Sequence, residues 1–138
     1  MKRCWIGAFS TVLVLLSGCE ARYRSVPDEL VGTNCVLLDA MRAHGVSRKL
    51  HRDQATNYVS IWNPGFTGPE VTFVTVLPAG TRMRVASALK CYNCPIEALR
   101  EYRVAVIPEP EEFAGKPAYL RASSVTPSQV RCAAGSPD

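Results

Sequence analysis

Beyond residue 18 this 138-residue chain has no apolar run that could span a bilayer, which takes about 20 consecutive residues. That excludes a membrane-spanning helix in the body of the protein. A second C-x-x-C and paired histidine ligands are also missing, and with them the spacing that makes a zinc site specific. His44 and His51 are the only histidines, and both fall in a basic stretch, Arg42 to Arg52, that lacks a strand pattern and reads as a solvated loop. Charge of one sign is scarce: the formal net charge is +4, and Lys2 and Arg3 supply two of those charges from the extreme N-terminus. Nothing in that balance points to nucleic acid. Glu109, Glu111 and Glu112 are crowded, proline-spaced and without a nearby His or Ser, so they do not compose an acid–base site. No internal repeat is present, and no metal or cofactor is expected.

What the chain does have begins at its N-terminus. Lys2 and Arg3 precede an apolar run from Trp5 to Leu16, and Leu16-Ser17-Gly18-Cys19 closes it. This is a charged region, a hydrophobic region and a small-residue cleavage site in the order of an export signal. The closing string resembles the bacterial lipobox. The resemblance implies cleavage between Gly18 and Cys19, a lipid-acylated Cys19, and tethering of the mature protein to a membrane. Acyl chains hold a protein at a bilayer by about 0.8 kcal/mol per buried methylene. Glu20 follows Cys19, where an Asp retains many such proteins at the inner membrane. The expected location is therefore the inner leaflet of the outer membrane, facing the periplasm.

In an exported protein, Cys35, Cys91, Cys94 and Cys132 are expected to be oxidised. Four cysteines allow three pairings. The spacing favours a local Cys91–Cys94 bridge and a second one, Cys35–Cys132, that ties the ends of the domain together.

The remainder reads mostly with a period of two. Residues 19–32 are polar and turn-rich, a tether for a domain spanning 33–132, with a tail at 133–138. Strands are expected at Tyr58 to Trp62, at Val71 to Leu77, after the Pro78-Ala79-Gly80 turn, at Tyr102 to Val106 and at Ala118 to Val125. Met83, Val85 and Leu89 should share one face of the third of these, with Arg82, Arg84 and Lys90 on the other. Pro95 and Glu97 suit the start of one short helix. Short strands, frequent turns and little helix predict a mainly β protein, a small antiparallel β-barrel or sandwich.

Leu77-Pro78-Ala79-Gly80-Thr81-Arg82-Met83-Arg84-Val85, Tyr102-Arg103-Val104 and the run from Ala118 to Val125 resemble three strands of bacterial Src-homology-three-like domains. The likeness covers Tyr58 to Val125 and implies that barrel. Asn63-Pro64-Gly65-Phe66 stands where the family has Arg-Ser-Gly-Pro, and the closing strand lacks its Gly-Trp. No ligand residues carry over.

Three functional readings remain. The first is a non-catalytic binding or structural lipoprotein whose partner is an envelope protein or peptidoglycan, with Trp62, Phe66 and Tyr92 as the candidate partner surface. The second is an immunity or inhibitor lipoprotein directed at a periplasmic hydrolase. The third is a thiol-disulfide oxidoreductase using Cys91 and Cys94, since a thiol between a strand and a helix start has a lowered pKa. The basic stretch, with Arg42, Arg48, Lys49 and Arg52, offers a weaker contact for anionic lipid headgroups.

Overall fold

The computed structural model describes residues 22–49, 55–94 and 99–133. Cys19, His51, Arg52, the expected helix start at Pro95 and Glu97, and the tail from residue 134 lie outside them.

Nine strands run through the described residues: β1 (Tyr23–Val26), β2 (Asn34–Leu37), β3 (Met41–Val46), β4 (Tyr58–Ile61), β5 (Val71–Leu77), β6 (Arg82–Cys91), β7 (Arg100–Ile107), β8 (Ala118–Arg121) and β9 (Val130–Ala133). Two short 3-10 turns, Glu111–Phe113 and Ala122–Ser124, flank β8. The strands join in the order β5-β3-β4-β8-β7-β6-β2-β9, with β1 beside β6. The class is mainly β, as expected. Among the described residues the ladder ends at β5 and at β9, an open sheet in place of the expected closed barrel. It is not wholly antiparallel either, because β4 and β8 pair in parallel.

Alternation decides the core. Val59 and Ile61 of β4, Met83 and Val85 of β6, Tyr102, Val104 and Val106 of β7, and Ala118 and Leu120 of β8 all point to one side, where they meet Leu37, Met41 and Phe113. Phe113 enters from a 3-10 turn, 1% exposed, and stands 6.4 Å from the Phe73 ring. Burying a side chain of this size stabilises by roughly 1.5–3 kcal/mol.

Long β6 organises the molecule. Its first half pairs with β2, its second half with β1 on the same edge, and β7 runs along the other edge. A bulge between Val85 and Ser87 inserts one extra residue. Past the bulge the pleat is inverted, so Ala88 takes the core position and Leu89 emerges on the opposite face from Met83 and Val85. The expectation that Leu89 shares their face fails for that reason.

Four further segments depart from the reading of the sequence. The tether contributes β1, whose polar side chains hid a strand that β6 holds through its backbone. The basic stretch contains β3, paired on both edges, where Gly45 interrupts the alternation but leaves room for the Phe73 ring. Near the C-terminus, β9 pairs with β2 and places Cys132 directly opposite Cys35. The strand expected to run from Ala118 to Val125 stops at Arg121, and the chain turns away there.

The disulfides join Cys35 to Cys132 and Cys91 to Cys94. The first clamps β2 to β9, with 97 positions between its cysteines.

Candidate functional site

The strands that build the core also carry a second set of side chains on the far face. Tyr58, Ser60 and Trp62 follow one another along β4 and its end, Tyr119 and Arg121 along β8, and Glu101 stands on β7. Tyr23 of β1 and Phe66 of the 63–69 loop close in from two sides. Together with Arg48 and Leu89 these residues, Trp62 apart, line a cleft of about 590 Å³, within the size range of ligand sites, about 300–1,000 Å³.

A column of rings forms one wall. The guanidinium carbon of Arg121 lies 3.9 Å from the centre of the Trp62 ring, Trp62 is 6.1 Å from Phe66, and Phe66 stacks on His44 at 4.8 Å and 24°. His44 is 1% exposed, which corrects the solvated-loop reading of this residue. Its Nδ1–H donates to the Ser60 carbonyl at 3.3 Å. Burial pushes its pKa down; the Ser60 bond opposes that shift and the nearby Arg42 charge adds to it. Gly65 makes the close approach possible: its φ is +90°, and a Cβ there would stand 2.5 Å from His44 Nε2. The loop is further held by Asn63, whose Oδ1 accepts from the Arg42 backbone N–H at 3.0 Å and whose Nδ2 donates to the Ala40 carbonyl at 2.9 Å.

The floor is polar. Glu101 and Arg121 are register partners across the β7–β8 ladder, yet among the described residues they form no ion pair. Arg121 turns to Trp62 instead, and its Nε is buried with no hydrogen-bond partner. Burial raises the pKa of Glu101, and Arg121 offsets part of that rise. Tyr58 and Tyr23 are raised too, first by burial and then by the Glu101 charge. Tyr58 and Tyr119 meet edge to face at 5.9 Å and 74°. The arrangement offers flat rings for stacking, one carboxylate and one guanidinium that are not satisfied by each other, and phenol hydroxyls around them.

Of the aromatics singled out in the sequence, Trp62 and Phe66 come together at this site. Tyr92 is 55% exposed outside the cleft lining, under Arg24 at 4.9 Å. Cys91 is 1% exposed, and its backbone N–H is bonded to the Leu99 carbonyl. Glu109 accepts a hydrogen bond from Gly115 N–H at 2.7 Å inside its own loop. Sequence reading missed Tyr23, Tyr58, Glu101, Tyr119 and Arg121. The available signal was the alternation itself, which sets Tyr58 against Val59 and Tyr119 against Leu120 and so places two aromatics on one far face.

Comparisons with protein-family models, with curated proteins and with solved structures gave no match for this chain.

Proposed function

We propose that the protein is a membrane-tethered bacterial envelope lipoprotein whose β domain is a non-catalytic binding module in the periplasm. The observation that carries the tether is Leu16-Ser17-Gly18-Cys19 after an apolar run. Two disulfides in a domain of this size agree with an oxidising compartment. The far-face cleft supports binding, because four aromatic side chains, Tyr23, Tyr58, Phe66 and Tyr119, line it on paired strands and their flanking loop, beside the Arg121 guanidinium. We extend the proposal to a distant Src-homology-three-like relation for residues 58–125, at the level of fold analogy.

The test is metabolic labelling with a fatty acid, followed by mass measurement of the N-terminal peptide. An acylated Cys19 is the expected result, and Cys19→Ser should leave an unprocessed precursor. An N-terminus at any other residue overturns the tether.

A further inference from the structure

We propose that the far-face cleft binds a saccharide chain, with sugar rings lying against Tyr58 and Tyr119 and with hydroxyl or acylamino groups bridging Glu101 and Arg121. The proposal rests on the binding-module reading and names its ligand class.

The argument starts from the strand edges. β4 is paired on both sides by β3 and β8, β8 by β4 and β7, and β7 by β8 and β6. Their backbone groups are engaged in the ladders, so the cleft floor presents side chains and no open edge. An extended peptide that binds by adding a strand needs such an edge. A ligand lying on that floor is met by side-chain groups.

Charge narrows the choice further. An anion placed on Arg121 would face the Glu101 carboxylate across the ladder, and a cation placed on Glu101 would face Arg121, with Arg48 at the rim. A neutral group that both donates and accepts satisfies the two together. Glu101 takes its hydrogen, and Arg121, oriented by Trp62, gives to its oxygen. Sugar hydroxyls and acylamino groups have that double character. Tyr58 and Tyr119 stand edge to face and give an apolar corner for the C–H face of one sugar ring, and Tyr23 and Tyr58 bring phenol groups to the same lining.

The experiment is calorimetric titration of the mature acylated protein in detergent with an N-acetylglucosamine tetramer and with an alternating tetramer that also contains N-acetylmuramic acid. Saturable binding of at least one tetramer is expected. Glu101→Gln and Tyr119→Ala should each weaken it by about tenfold or more, as loss of a charge-assisted bond or a stacking face requires. Val76→Ala, on an exposed face of β5, should leave it unchanged. Circular dichroism on each variant separates loss of ligand from loss of fold. No heat with either tetramer, or affinity that survives both cleft substitutions in a folded protein, overturns the saccharide assignment. A protein partner whose capture requires the cleft, in the absence of saccharide binding, overturns it as well while leaving the binding-module reading intact. Failure of Cys19 acylation bears on the tether alone, and the same titration is then read on the non-acylated protein.

Discussion

The phenol of Tyr102 donates a 3.1 Å hydrogen bond to Oδ2 of Asp28, joining the middle of β7 to the residue that follows β1 and Pro27, 74 positions earlier in the chain. Arg100 Nη1 reaches the same oxygen at 3.0 Å, and Oδ1 accepts the Leu30 backbone N–H at 3.0 Å. The Asp28 side chain is 7% exposed, so it depends on these partners. It fastens the β1 segment to the domain.

Asp28→Ala should therefore destabilise more than Tyr102→Phe. Removing the carboxylate leaves a phenol and a guanidinium without their acceptor, at a cost of about 2–3 kcal/mol, whereas removing the hydroxyl leaves Arg100 and Leu30 in place, at about 1–2 kcal/mol. Urea unfolding checks the order. Faster proteolysis before residue 28 in Asp28→Ala would show which segment is released.

Half-buried Glu101 and buried His44 should tilt stability in opposite directions with pH. Burial raises Glu101, so the stability tied to its protonated form is complete below the unfolded carboxyl value, near 4.3, and is lost as pH rises through the higher folded value. The advantage of Glu101→Gln over the parent protein should grow across that window. Folding lowers His44, so stability is complete above the unfolded imidazole value, near 6.5, and is lost as pH falls through the lower folded value. His44→Gln should flatten that acid limb. Unfolding free energies measured from pH 3.5 to 8 resolve the two limbs.

Gly65 and Gly80 separate backbone strain from collision. Both have positive φ, +90° and +88°, but a Cβ at Gly80 meets nothing within 4 Å, while at Gly65 it meets His44. Gly80→Ala should cost about 1 kcal/mol. Gly65→Ala should cost more and alter Trp62 fluorescence, because Phe66 can no longer hold its place between His44 and Trp62.

The two disulfides should differ in worth. Cross-linking residues 97 positions apart removes more freedom from the unfolded chain than cross-linking residues 3 apart. On the chain-entropy model the contributions are about 4.7 and about 2 kcal/mol. Replacing Cys35 and Cys132 with Ser should accordingly lower Tm well beyond the loss on replacing Cys91 and Cys94. Equal losses would show that the Cys35–Cys132 bridge adds little to the strand pairing of β2 and β9.

By itself the sequence determined what depends on neighbours along the chain. Leu16-Ser17-Gly18-Cys19 is a local string, and β5, β6 and β7 announce themselves through runs such as Val71 to Leu77 and the alternation of Tyr102, Val104 and Val106. The cysteine spacing favoured the two bridges that form. Only the tertiary structure decided the rest. β1 and β9 are strands because β6 and β2 offer them edges, and their own residues carry little pattern. One inserted residue in β6 moved Leu89 to the far face, which no regular period reveals. His44 is buried because a loop some 20 residues later folds Phe66 over it at a glycine. The cleft draws Tyr23, Tyr58, Glu101 and Tyr119 from four strands, and each reads alone as an ordinary outward residue. Strand order and pleat brought them to one place, and that order is set by long-range pairing.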